Sequence, residues 1–144
     1  MAEEGVKRSS IVAALAPLLI AGTAHAAGEC AARLKSARAM QAERDGYTVA
    51  FAPRPAPLAT GRHFALDIAV CPPAGGGAPR NLQVDADMPA HKHGMNYRAS
   101  VTMRGAGLYR AEGLMLHMPG RWRFLFDLQL HDRTLQLAHE VEVP

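Results

Sequence analysis

The sequence predicts an all-β chain folded as an antiparallel β-sandwich of about seven or eight short strands. Three observations carry this: apolar residues recur with a period of two, turn residues punctuate the chain roughly every ten residues, and little of it carries a convincing helical period.

Residues 31–43 are open to either helix or strand, because the alanines and arginines around Lys35–Gln41 tolerate both. Asp45-Gly46 before Tyr47-Thr-Val-Ala-Phe51 is a hairpin signal if the preceding stretch is extended. Pro53, Pro55 and Pro57 make a rigid connector. In His63–Cys71, residues Phe64, Leu66, Ile68 and Val70 share one face, the clearest strand in the chain. The Pro72–Pro79 segment interrupts the pattern, since Gly75-Gly-Gly77 resists any single backbone conformation. Alternation resumes over Leu82–Met88 and stops at Pro89, which cannot donate to a ladder. Ala99–Met103 and Gly107–Ala111 flank Arg104-Gly105-Ala106 as a hairpin would. Leu114–Met118 runs into the turn dipeptide Pro119-Gly120. Trp122, Phe124, Phe126 and Leu128 then alternate with Arg121, Arg123, Leu125 and Asp127, which marks the aromatic set as core. After the His131-Asp-Arg133 turn, Leu135, Leu137, His139, Val141 and Val143 complete the last strand.

Ahead of this pattern stands an export signal, residues 1–26. Lys7 and Arg8 form a positive n-region, Ile11–Gly22 an apolar h-region, and Ala24-His25-Ala26 a small-x-small cleavage site. Pro17 interrupts the apolar run, which falls short of the ~20 residues a membrane span needs, so cleavage is the reading and an uncleaved anchor the alternative. An acid at Glu29, directly before Cys30, argues against lipid attachment there. Residues 27–144 then form one periplasmic or secreted domain, large enough for a single core. The formal charge of +3 comes from scattered arginines without a basic run, which argues against nucleic acid as a partner. Cys30 and Cys71 are the only cysteines, and export favours their pairing in a disulfide across a loop of about 40 residues. Bonded to each other, neither serves as a thiolate ligand or a nucleophile.

The chemistry concentrates in Met88-Pro-Ala-His91-Lys-His93-Gly-Met95 and in His117-Met118. Thioether sulfur is soft and uncharged and imidazole is borderline, a mixture that suits copper, above all Cu(I), over Mg²⁺ or Ca²⁺. On a strand His91 and His93 would share a face with Met95, although Pro89 and Gly94 mark the segment as partly turn. His117 and Met118 are adjacent, so at most one of them reaches a common point unless the Pro119-Gly120 turn has already begun. Taken singly, Met88, Met103 and Met115 read as core filler, and His63, His131 and His139 are too dispersed for a role. Asp85 and Asp87 read as a solvated face, no second acidic pair suggests paired-carboxylate catalysis, and no nucleophile elbow surrounds Ser100. The Cys71-Pro-Pro sequence lacks the neighbours of a blue-copper site, and the glycine run lacks the Lys-Ser/Thr of a phosphate loop. The chain is therefore not expected to be an enzyme.

Two stretches, Asp85–Tyr97 and Gly107–Trp122, resemble the YtkA-like domain family through a Met-Pro-x-His segment, a Gly-x-Tyr strand and a Pro-Gly-x-Trp turn. The resemblance spans about residues 64–130 and implies a small exported bacterial domain with an immunoglobulin-like sandwich. In ligand type alone, the Met/His set is similar to periplasmic copper chaperones that supply cytochrome oxidase. Their spacing differs, so none of their ligands transfers to a position here. The expectation is an exported copper-binding protein that buffers the ion or hands it to a membrane or periplasmic acceptor. Its ligands would be His91, His93, Met95, His117 or Met118, with Met88 as a weaker one. The rival expectation is a metal-free interaction module docking on a membrane complex through a sheet face or edge strand.

Overall fold

The computed structural model describes Met1 and residues 23–144. The n-region and apolar run of the expected signal lie outside the described residues, and Ala24–Ala26 fall in the first helix. Chain order is α1 (Thr23–Ala32), β1 (Met40–Arg44), β2 (Tyr47–Arg54), β3 (His63–Cys71), β4 (Asn81–Met88), β5 (His93–Gly94), β6 (Ser100–Gly105), β7 (Leu108–Met115), β8 (Gly120–Gln129) and β9 (Thr134–Val143). Two antiparallel sheets, ordered β1-β2-β3-β7-β6 and β5-β4-β8-β9, pack as a β-sandwich. The strands number nine among the described residues, beyond the seven or eight expected. Two-residue β5 lies inside the His/Met segment, where the sequence shows mainly turn character.

Period-two burial builds the core as the sequence predicts. Leu82, Val84, Ala86 and Met88 of β4 face Phe51, Phe64, Leu66 and Ile68 across the sandwich, with Trp122, Phe124, Phe126 and Leu128 of β8 fully buried. Phe51 bridges the sheets, its ring centre 5.5 Å from Phe124 and 4.8 Å from Phe126. Each such side chain contributes about 1.5–3 kcal/mol by leaving water. Asp45 and Gly46, with φ of 51° and 78°, make the tight turn joining β1 to β2. A Cβ on Gly46 would stand 2.9 Å from the Pro73 ring, so this turn also fixes where the Pro72–Pro79 loop lies.

Residues 31–43 divide between the two readings: α1 ends at Ala32, turns follow, and β1 begins at Met40. Helix α1 explains why β2 is buried on both faces from Tyr47 to Pro53. Ala50 and Ala69 present small side chains outward, and Cys30 drops onto them, 1% exposed. A disulfide joins Cys30 to Cys71 at the end of β3. Arg33 reaches the carbonyls of Val70 and Ala106, so a charge-assisted contact clamps the same corner. A disulfide of this kind belongs to an oxidising compartment outside the cytoplasm. No helix among the described residues is long and apolar enough to cross a membrane.

One side of the sandwich is closed where Arg44 donates to the Gln136 carbonyl and His139 Nδ1 donates to that of Gln41, at 3.0 and 2.7 Å. The other side is open along β6 and along β4 ahead of its short pairing with β5. At one end the chain crosses between sheets through residues 116–119, and there the β4–β5 hairpin also turns.

Candidate metal centre

β4 delivers Met88 to the hairpin with its side chain inward, 2% exposed. The turn closes when His91 and Lys92 N–H groups donate to the Met88 carbonyl at 3.0 and 2.9 Å. Lys92 sits in the left-handed region, φ 55°, and sends the chain back so that His93 lies directly opposite Met88 and Gly94 opposite Asp87. Met95 N–H then donates to the Ala86 carbonyl at 2.9 Å, which carries the pairing one residue past β5. Opposed residues share a sheet face, so His93 and Met95 turn toward the side that Met88 and Ala86 bury. Gly94, flagged in the sequence as a break in register, lies 3.3 Å at its would-be Cβ from the Ala86 carbonyl and keeps the pairing close.

The second arm comes from the crossing segment. Leu116 is fully buried, and Met118 packs against the core, while His117 meets the buried Trp122. The His117 ring centre stands 5.2 Å from that of His93. His91 is exposed at the turn, its ring centre 5.8 Å from His93. Along the chain of contacts the three imidazoles thus run from solvent inward.

Two polar details bear on what the rings could hold. His93 Nδ1 donates to its neighbour's carbonyl, Gly94, at 3.3 Å, which leaves Nε2 with its lone pair in the manner of metal-binding histidines. His117 Nδ1 is buried with no hydrogen-bond partner among the described residues. An orphaned buried nitrogen costs about 1–3 kcal/mol, and a ligand would remove that cost. For a metal–nitrogen bond of about 2.0–2.1 Å, each ring centre lies about 3.2 Å from the ion, so two imidazoles sharing one ion can stand up to about 6.4 Å apart. Both observed spacings fall inside that limit. Among the described residues no three of His, Cys, Asp and Glu gather to hold an ion by themselves, so any site here depends on the thioethers.

Trp122, recognised from the sequence only as core, is the side chain that touches both arms. Its ring centre lies 5.9 Å from His93 and 5.4 Å from His117, near-perpendicular to each at 68° and 78°. Its indole N–H donates to the Met118 carbonyl at 2.9 Å. Gly120 completes the turn with φ 118°, and a Cβ there would press within 3.2 Å of the Met88 methyl. Asp87 departs from its expected solvated role: Arg123 binds it through two hydrogen bonds, 3.0 and 2.6 Å, and ties the end of β4 to β8 just before the hairpin. Asp85 remains exposed. His63 meets Tyr97 edge-on at 5.3 Å and lies opposite Met115.

Comparison with protein-family models, with curated proteins and with solved structures finds no match for this chain.

Proposed function

We propose that this chain is an exported copper-binding protein of the YtkA-like type, which buffers copper or passes it to a periplasmic or membrane-bound acceptor. One observation carries the reading: the rings of His93 and His117, on segments more than twenty positions apart, approach to 5.2 Å, and His117 Nδ1 is buried without a hydrogen-bond partner among the described residues. His93 and His117 would hold the ion with thioether sulfur from Met88 or Met95, while His91 stands exposed at the turn, outside that pair. Methionine stays uncharged at every pH while histidine must be neutral to bind, so affinity falls in acid. The Ala24-His25-Ala26 site and the disulfide support export through a cleaved signal.

Competition for Cu(I) against a chromophoric chelator under argon tests the assignment. The protein binds one equivalent, and His93→Ala with His117→Ala lowers affinity at least tenfold. Equal affinity in the double variant refutes it.

The second reading, a metal-free interaction module, is favoured by the open side of the sandwich. A groove of about 710 Å³ runs there between the β4 edge and residues 95–101. That reading requires copper to leave the melting temperature unchanged, whereas a ligand specific to the native state raises it.

A further inference from the structure

The spacing of the two inner imidazoles carries more than the presence of an ion, and this step rests on the copper reading above. A histidine ring centre lies on the axis of its own ring rotation, so flipping either imidazole, or exchanging Nδ1 for Nε2, leaves the 5.2 Å separation unchanged. Were both rings to aim a nitrogen at one ion about 3.2 Å from each ring centre, that separation would put an angle of about 110° at the metal. Tetragonal Cu(II) places imidazoles at about 90° or 180°, which needs spacings of about 4.5 or 6.4 Å. Cu(I), with no tetragonal preference, accepts the observed one, and the soft thioethers favour it further. To rearrange for Cu(II), His93 and His117 must move against whatever fixes them.

The side chain that stands against both is Trp122. The indole is fully buried, stands against both rings, and is anchored through its N–H to the segment bearing His117 and Met118. It is packed in the β8 row with Phe124 and Phe126 and paired across to Val141. We infer that Trp122 is a specificity-determining, positioning residue: it sets the distance between the two imidazoles and so makes the site discriminate Cu(I) from Cu(II). A phenyl ring at this position keeps an apolar filler but loses the N–H and part of the wall, which frees the Met118 carbonyl and lets the rings relax.

The test measures both affinities for the full chain and for Trp122→Phe, Cu(I) against a bicinchoninate chelator under argon and Cu(II) against glycine. The Cu(I)-to-Cu(II) preference falls at least tenfold in the variant. A preference that is unchanged while both affinities drop together shows a merely structural tryptophan and overturns the inference. A parent protein that binds neither ion sinks the copper reading itself, a separate outcome. A second measurement needs no variant: Trp122 is the chain's only tryptophan, and one equivalent of Cu(I) quenches its emission. Binding by chelator competition without quenching places the ion away from the indole and refutes its role.

Discussion

Reducing the Cys30–Cys71 link is the perturbation whose magnitude the structure fixes most directly. The two cysteines are separated by 41 positions, a stretch containing β1, β2 and β3. Releasing a loop of that size gives the unfolded chain back conformational entropy equivalent to about 4 kcal/mol at 25 °C on the loop-closure account. Unfolding about 120 residues carries an entropy of about 0.25 kcal/mol/K, so the melting temperature falls by about 16 °C. The native sheets lose little by reduction, because Cys30 still rests on Ala50 and Ala69 and Arg33 still holds the Val70 and Ala106 carbonyls. Circular dichroism melts of metal-free protein, with and without a phosphine reductant, read the shift. Cys30→Ala with Cys71→Ala repeats it without reductant. A fall of less than about 5 °C refutes the reasoning, since the closed loop would then not be what restrains the unfolded chain.

Burial alone would raise the Asp67 carboxyl, but hydrogen bonds from Arg54 and Arg110, with their charges, outweigh it and hold its pKa below the ordinary value. A lowered folded pKa gives stability that is present above about pH 3.9, the usual aspartate value, and lost as pH falls through the folded one. Asp67→Asn therefore costs about 1 kcal/mol at pH 7, since the group is partly exposed, and the gap to the parent closes in acid melts below pH 4. A gap independent of pH refutes the ion-pair account. Gly120→Ala forces a side chain into φ 118° against Met88 and lowers the urea midpoint by an amount equivalent to about 1–3 kcal/mol; an unchanged midpoint rules out that backbone strain. His117→Leu removes the orphaned nitrogen while keeping the bulk, so the metal-free protein melts no lower than the parent while Cu(I) affinity drops at least tenfold. A melting point lower by more than about 3 °C shows that the imidazole makes an apo-state interaction. Lys92→Gly relieves a left-handed residue, stabilises the metal-free chain by about 1 kcal/mol, and weakens copper by loosening the His91–His93 turn. Tighter copper binding in this variant refutes that coupling.

The sandwich was legible because two-residue alternation is a property of each strand taken alone. Phe64–Val70 and Trp122–Leu128 announce an inward face without reference to their partners, and both faces are where the pattern puts them. What escaped the pattern depends on partners. Helix α1 is stabilised by lying over Ala50 and Ala69, and nothing within Thr23–Ala32 itself distinguishes it, with no acid in its first turn and no base in its last. β5 is two residues long and exists through the ladder of β4 opposite it, which the Met95 N–H extends to Ala86. The Asp87–Arg123 pair likewise joins residues 36 apart, invisible until the register of β4 on β8 is known.

At the candidate site, donor types were legible and their mutual arrangement was not, and the locally unfavourable features of the structure show why the arrangement is unlike ordinary packing. Lys35, Asp45 and Lys92 are the non-glycine residues in the left-handed region among those described. Asp45 belongs to a turn that welcomes it; Lys92 stands between His91 and His93. Gly120, the glycine whose Cβ would crowd Met88, follows His117 by three positions, and the orphaned buried nitrogen belongs to His117 itself. Two costs that packing alone would select against, the left-handed Lys92 and the orphaned His117 nitrogen, therefore meet at one end of the sandwich, beside a turn that only glycine fits at position 120. Costs of this kind persist where surrounding structure over-determines them, and here Trp122 and the Met88–His93 pairing do so. A chain optimised only for stability would fill that end with apolar side chains and a glycine turn. Retaining imidazoles held 5.2 Å apart makes sense if an ion repays their nitrogens, which is why Lys92→Gly and His117→Leu are expected to move stability and copper affinity in opposite directions.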